Sequence, residues 1–333
     1  MDSLELYSLL LVLAALLSAS VTWAIRPLLQ RYALARPNAR SSHRVPTPQG
    51  AGIAVIAAAL SVAAICAVAI HLVIPTVVFG AALGILLVGA ADDIKSIPVL
   101  PRLVLQAAAI GAIVFTAPDD FRLVPVCPLW AERGLLLLAG LWFVNLVNFM
   151  DGLDLMTVAE IVPVTAAMIL LGSIGELPLP ATIVAAALCG AMVGFAPFNR
   201  PVAKVFLGDV GSLPIGLLVG WCLMQLAGGH HIAAALLLPL YYLCDATITL
   251  ARRIAKREPF WTAHRSHFYQ QATDNGFTPS RVVGEVFALN IGLAVLAIGS
   301  VRAGSGLIDL LVSLTGAAAV ALLLYRFSRK RSL

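Results

Sequence analysis

Charge is scarce in this 333-residue chain: 12% of residues are Asp, Glu, Lys or Arg, 60% are hydrophobic, and mean hydropathy is +0.96. That deficit excludes an ordinary water-soluble globule. Cysteine is also sparse. The five (Cys66, Cys127, Cys189, Cys222, Cys244) include no Cys-x-x-Cys pair, and only Cys127 falls in an expected external loop, so neither a disulfide framework nor a thiolate metal centre is indicated. There is no Gly-x-x-x-x-Gly-Lys-Ser/Thr loop and no His-Glu-x-x-His, which removes support for an ATP-driven motor or a zinc protease. Internal repeats and low-complexity tracts are lacking. The longest connections between apolar segments, 26–50 and 251–281, are too short to hold a separate soluble domain.

What is present is a series of apolar segments near the length that crosses about 30 Å of hydrocarbon. Eleven are expected, at roughly 4–25, 51–70, 72–91, 103–117, 134–150, 158–174, 180–198, 210–228, 232–250, 282–300 and 307–325. The first lacks a basic leader and is followed by Arg26, so it reads as a span rather than a cleaved signal. The fold class is therefore all-α, a single polytopic membrane domain over 1–333. Basic residues set its orientation. Five lie in 26–50, two in 92–102, two in 199–209, six in 251–281 and four in the tail from Arg326, leaving Arg122, Arg133 and Arg302 for the other side. The N-terminus is expected outside and the C-terminus inside. The net charge of +5 is thus a topology signal, with attraction to anionic membrane lipid as an addition and no indication of nucleic-acid binding.

Polar residues gather at the expected inner ends of these helices. Asn145, Asn148 and Asp151 recur at spacings of three, a shared helical stripe, and Gly152 offers a break that turns Asp154 back toward them. Ionisable groups near a bilayer are costly enough to mark function. Asp92 and Asp93 end the third segment, with Lys95 and Arg102 as nearby phosphate donors; paired carboxylates there attract Mg²⁺ or share a proton. In Lys204-Val-Phe-Leu-Gly-Asp-Val-Gly-Ser212, Gly208 and Gly211 are expected to leave the Asp209 carboxylate open. Ser212 and the next helix's free N–H groups offer donors to phosphate, and Phe206 a surface for a planar base. The loop Arg40-Ser-Ser-His-Arg-Val-Pro-Thr-Pro48 supplies His43 and Arg44, and a second basic loop supplies His264, Arg265 and His267, a cationic set suited to a diphosphate. Gly80/Gly84 and Gly216/Gly220 read as helix-packing faces; whether such faces build a homodimer is open. His230 and His231 fall on the opposite side, and Glu160 reads as a supporting or solvated group. Asp245 and Glu285 lie near inner ends without an assigned role. Acids that hold Mg²⁺ and bases that hold phosphate oxygens are the parts of phosphoryl transfer.

These blocks also carry a resemblance. Arg40-Ser-Ser-His-x-x-Pro-Thr-Pro48, Asp92-Asp93, Asn145-x-x-Asn148-x-x-Asp151-Gly-x-Asp154, Phe206-x-Gly-Asp-x-Gly-Ser212 and His264-Arg-Ser-His267 resemble the signatures of the polyprenyl-phosphate N-acetylhexosamine-1-phosphate transferases (glycosyltransferase family 4, MraY/WecA-like). The Glu258-Pro-Phe-Trp-Thr-Ala-His run is most similar to the WbpL-like branch that starts O-antigen synthesis. The resemblance implies a multi-pass transferase of the bacterial cytoplasmic membrane. It would move N-acetylhexosamine-1-phosphate, including that of 6-deoxy sugars, from a UDP-sugar to undecaprenyl phosphate, release UMP, and depend on Mg²⁺ or alternatively Mn²⁺. Its site would draw on loops 26–50, 92–102, 151–157, 199–209 and 251–281. By position, Asn148 and Asp209 would hold the metal, and Asp92 would orient or deprotonate the lipid phosphate with Asp93 beside it. Asp151 would join the catalytic acids, Asp154 and Phe206 would hold uracil, and His264, Arg265 and His267 the diphosphate, by direct in-line attack or through an aspartyl intermediate.

Two departures from the family pattern stand out: Leu155 where a glycine is usual, which would alter the nucleotide turn, and Ala51 within a glycine-rich run. A secondary transporter also uses many spans and membrane acids, but is expected to set them near the midplane with inverted repeats.

Overall fold

The computed structural model describes residues 3–35, 46–259 and 264–330. It is an all-α bundle: α1 (Ser3–Tyr32), α2 (Gly52–Ala69), α3 (Thr76–Ile94), α4 (Val99–Thr116), α5 (Leu129–Met150), α6 (Met156–Ser173), α7 (Leu179–Phe195), α8 (Asp209–Gly228), α9 (Ile232–Leu237), α10 (Leu240–Ala255), α11 (Phe268–Asp274), α12 (Pro279–Ala303) and α13 (Gly306–Phe327). Among the described residues, ten helices are long and apolar enough to cross a membrane. The ninth expected span, 232–250, is not one of them. It divides into α9 and α10 at Leu238–Pro239, because proline lacks the N–H that would continue the helix and its ring crowds the preceding turn.

Burial sorts the helices by role. Over the most apolar 18 residues of each, 83% of positions are buried in α8 and 78% in 179–198, against 17% in α13, so α7 and α8 form the centre and α13 presents most of its apolar surface outward. α7 packs against α1, α2 and α6, and α8 against α3 and α5. The α1–α7 contact depends on a small-residue pair the sequence reading passed over: a Cβ on Gly190 or Gly194 would overlap the carbonyls of Leu11 and Ala15, the close backbone approach that glycine permits between helices in lipid. Gly216 and Gly220 do pack, against Val144 and Phe143 of α5. Gly80 and Gly84 do not; an added Cβ there meets nothing, and both face outward.

A two-residue antiparallel pair, β1 (Leu34–Ala35) with β2 (Thr47–Pro48), closes the end of α1. The chain beyond β2 then pairs with the distant segment before α8. Phe206 N–H donates to the Pro48 carbonyl at 2.7 Å, Gly50 and Ala51 donate to Phe206 at 3.1 and 3.0 Å, and Gly52 donates to Leu207 at 2.9 Å. Two loops some 150 positions apart are thereby joined backbone to backbone. Gly50 takes the left-handed turn (φ +112°) and Gly52 lies against Gly211, whereas Ala51 has an ordinary right-handed backbone (φ −63°) and no space demand that only glycine meets.

This packing predicts that Gly190→Ala lowers thermal stability in detergent by about 1–3 kcal/mol through overpacking, while Gly84→Ala stays within about 0.5 kcal/mol of wild type; thermal unfolding of the two variants tests the assignment.

Candidate active site

The acidic cluster forms where α3 and α5 end and α8 begins. Asp92 and Asp93 are adjacent, so they leave α3 about 100° apart and meet different partners. Asp93 faces the start of α8. Its Oδ1 accepts from the Asp209 N–H at 2.9 Å and from Gln49 Nε2 at 2.5 Å, and its Oδ2 accepts from the Val210 N–H at 3.1 Å. These are the amides a helix start leaves open, and a carboxylate there is favoured by the helix dipole as well. Asp93 therefore acts as a cap supplied by another helix. Gly208 admits it: φ is +78°, and a Cβ would stand 2.5 Å from the Asp93 carboxylate. Gly89, one turn earlier on α3, lies directly under the Asp209 carbonyl, which an added Cβ would overlap.

Asp92 points to the other side. Its carboxylate accepts from Arg102 Nη1 and from the Ile97 N–H, both at 2.6 Å. Arg102 Nη1 also stands 3.8 Å from Asp209 Oδ2, so one guanidinium lies between the two carboxylates. The second oxygen of Asp209 accepts from Asn148 Nδ2 at 2.7 Å, and the same amide donates to Ser212 Oγ at 2.9 Å. Asn148, Asp209 and Asp92 thus meet as expected, with Arg102 more central than its sequence position suggests.

Other expected site residues are placed differently. Asn145 is buried between α4 and α5, where it donates to Gln106 Oε1 at 2.7 Å and to the Leu141 carbonyl; a turn further into the bilayer than Asn148, it joins helices. Ser212 is fully buried beneath Asn148, not open to a phosphate. Gly211 packs on Gly52, so it serves close packing rather than access to Asp209. Asp154 is buried and accepts from the Ala203 N–H at 3.0 Å, tying the turn after α5 to loop 199–209. Asn199, which no spacing or motif singles out, reinforces that tie, accepting from Leu155 N–H at 2.7 Å and donating to the Val205 carbonyl at 3.1 Å. Leu155 itself adopts the left-handed conformation (φ +64°) in which glycine is unstrained; the glycine-type turn is kept despite the substitution. Lys95 is exposed at the end of α3, and Phe206 is half-buried beside Gln49. His43 and Arg44 lie outside the described residues.

The second basic loop is docked through α11 onto the end of α5 and the turn after it. Tyr269 Oη donates to the Phe149 carbonyl at 3.1 Å and packs on Gly152, where a Cβ would overlap it. His264 and His267 stand together, ring centroids 4.9 Å apart, with Phe149 6.3 Å from His267. His264 Nδ1 meets Ser266 Oγ at 2.8 Å. Arg265 bonds Asp274 at 3.1 Å and Thr273 at 3.0 Å within α11. Away from the site, Glu160 is buried against Asn290 (2.6 Å) rather than solvated, Glu285 pairs with Arg281 and Arg326, and His231 pairs with Glu176.

Among the described residues, no three His, Cys, Asp or Glu side chains close on one point as a metal cage. The donor set suits a looser site. Asp92 and Asp209 meet a single guanidinium, whose Nε has no partner among the described residues, while Asp93 sits beside them on the α8 amides. Mg²⁺ is commonly held by one or two carboxylates with water and substrate phosphate completing the shell. Asp209 and the Asn148 carbonyl oxygen fit that requirement.

Asp151, just past α5, is half-buried and hydrogen-bonded by the Thr157 hydroxyl. Burial, with the charges of Asp93 and Asp154 adding to it against the Thr157 hydrogen bond, pushes its pKa up to about 6. It is expected to be protonated at pH 5 and ionised at pH 7. Because the hydroxyl favours the ionised form, Thr157→Val should move the midpoint higher. Carboxyl-band infrared titration, with Asp151→Asn to identify the band, measures both; an unchanged midpoint in Thr157→Val would remove the hydroxyl from the account.

The same central region is similar to known proteins. Residues 75–227 match the model of glycosyl transferase family 4. Over 179 residues the chain is 28% identical to a phospho-N-acetylmuramoyl-pentapeptide-transferase of Bartonella quintana (strain Toulouse), covering 47% of this chain and 48% of that one. Over 163 residues it is 29% identical to a decaprenyl-phosphate N-acetylglucosaminephosphotransferase of Mycobacterium leprae (strain TN), covering 42% and 41%. The match spans about half the length of these relatives. The matched region runs from α3 through most of α8 and contains Asp92, Asp93, Asn148 and Asp209; in this multi-pass membrane protein, the helices that build the cluster are the part of the chain that matches glycosyl transferase family 4.

Proposed function

We propose that the protein transfers N-acetylhexosamine-1-phosphate, the 6-deoxy sugars included, from a UDP-sugar to undecaprenyl phosphate and releases UMP. The setting is the cytoplasmic face of a bacterial inner membrane, with the N-terminus outside and the C-terminus inside, at the start of O-antigen-like polysaccharide synthesis. The observation that carries this reading is the meeting of Asp92, Arg102, Asn148 and Asp209 at one end of the bundle. Both relatives bear names of transferases for phosphorylated sugars, one of them naming decaprenyl phosphate as its lipid. The positive-inside count supports the orientation.

In the reaction, an oxygen of the lipid phosphate attacks the sugar-bearing phosphorus of the diphosphate. A P–O bond forms there as the bond to the bridging oxygen breaks, and UMP departs with that oxygen. Both substrates are anions, so the site must offset charge and align them. Arg102, held between Asp92 and Asp209, is placed to take a phosphate oxygen in exchange for one carboxylate. Asp92 orients the lipid phosphate or takes its remaining proton. Asn148 fixes the Asp209 carboxylate, and Asp93 fixes the helix that carries it. A bound Mg²⁺, or Mn²⁺, would be held by Asp209 and the Asn148 carbonyl oxygen and would neutralise diphosphate charge. His264 and His267 face the diphosphate from the α11 side, with Arg265 beside them once it releases Asp274, and Phe206 faces the uracil on a loop that Asp154 ties down. Acids collected at helix ends suit a substrate that stays at the interface, rather than one carried through the midplane.

The test is UMP release by purified protein with undecaprenyl phosphate and a panel of UDP-N-acetylhexosamines. Lipid- and Mg²⁺-dependent UMP is expected, reduced at least about 100-fold in Asp209→Asn. Folded protein that releases no UMP with any sugar, or an Asp209→Asn variant as active as wild type, would overturn the reading.

A further inference from the structure

Asp245 is remote from the acidic cluster in sequence and fully buried in α10. Its carboxylate is nonetheless crowded with donors. Oδ1 receives the Phe268 N–H at 3.0 Å, His267 Nδ1 at 3.2 Å and the Thr249 hydroxyl at 3.4 Å; Oδ2 receives the Tyr269 N–H at 3.1 Å and the Tyr241 hydroxyl at 3.1 Å. Two of these are the opening amides of α11, so part of its work is to cap that helix from outside. A cap does not require the imidazole.

We propose that Asp245 is a positioning residue for His267, fixing the ring with a hydrogen on Nδ1 toward the carboxylate so that Nε2, across the ring, is aimed at the diphosphate and donates to it once the ring takes up its second proton. The proposal rests on the reading of His267 as a diphosphate-binding group. Both Asp245 oxygens act as acceptors, so the ring nitrogen facing them supplies the hydrogen. The Gln270 N–H is shared between the His267 ring, in the capping box of α11, and the His267 carbonyl at 3.0 Å, and Gln270 Oε1 accepts from the His267 N–H at 3.3 Å; against this shared, neutral amide the carboxylate has the stronger claim on how the ring is protonated. Among the described residues its ring neighbours are Tyr269, stacked at 5.8 Å, His264 at 4.9 Å and Phe149 at 6.3 Å. Asp245 is thus the charged partner that sets the tautomer, as a carboxylate behind a functional histidine does elsewhere. The break at Pro239 fits this role: it restarts the ninth span as α10, and the same carboxylate then meets both α11 and the ring.

Two measurements test the proposal. Nitrogen NMR of the full-length protein labelled with ¹⁵N-histidine, with His267→Gln identifying the signal, reads the tautomer without any assay of activity. A protonated Nδ1 is expected; an unprotonated Nδ1 overturns the proposal whether or not UMP is released. The second is a double-mutant cycle on UMP release. Asp245→Asn is expected to cost roughly 10- to 100-fold in kcat/KM in the wild-type background and less than about 3-fold in His267→Gln, because the residue acts through the ring. Equal losses in both backgrounds would make Asp245 a cap for α11 and nothing more. Wild-type protein that releases no UMP defeats the enzymatic reading, and the NMR result still decides the role of Asp245.

Discussion

The site depends on one buried-edge interaction: the carboxylate of Asp93, at the end of α3, seated on the first amides of α8. A helix start carries unpaired N–H groups and partial positive charge. A carboxylate placed there gains hydrogen bonds to two amides while its own charge is compensated. Hydrogen bonds to a charged group are each worth about 1.5–3 kcal/mol, enough to fix where α8 begins. Asp209 is the first residue of α8, so whatever fixes that start also fixes the carboxylate on which the proposed chemistry turns.

The neighbouring contacts make sense as supports of this seat. Gly89 and Gly208 remove side chains that would hold the two helices apart, and Gln49 adds a donor to Asp93 from the loop after β2. The backbone pairing of residues 48–52 with 206–207 keeps that loop in register with the α8 start. On the opposite side, Asn148 grips Asp209 from α5, and Tyr269 docks α11 onto the turn that follows α5. Three segments that are far apart in the chain thereby converge on a few ångströms of α8. Among the described residues, Arg102 is the one cation of the cluster that contacts two of its acids.

Much of this was legible in the sequence, and the limits have physical causes. Apolar run length located the spans, and helix periodicity put Asn148 and the following acids at one end. Periodicity does not say which of two adjacent acids faces a given neighbour: Asp92 and Asp93 diverge around the helix, and only the position of α8 makes one a cap and the other a partner of Arg102. Asn145 shares the stripe of Asn148, yet one turn of depth puts it between α4 and α5 with Gln106. Run length also failed at 232–250, where Pro239 breaks a segment whose hydropathy is continuous. The pairing of Pro48 with Phe206 and the ties made by Asn199 join residues distant in sequence, which local spacing does not encode. Leu155 shows the converse, a backbone turn retained after its usual residue is lost, at a cost of about 1–2 kcal/mol for a non-glycine residue in that region.

The most direct test of this account compares UMP release by Gly89→Ala and Gly84→Ala, two substitutions five residues apart on α3. The added methyl at 89 would overlap the Asp209 carbonyl, whereas that at 84 meets nothing. If the seat of α8 on α3 sets the site, Gly89→Ala loses at least about tenfold in kcat, a barrier increase of roughly 1.4 kcal/mol, while Gly84→Ala matches wild type. Wild-type turnover in Gly89→Ala would contradict the account.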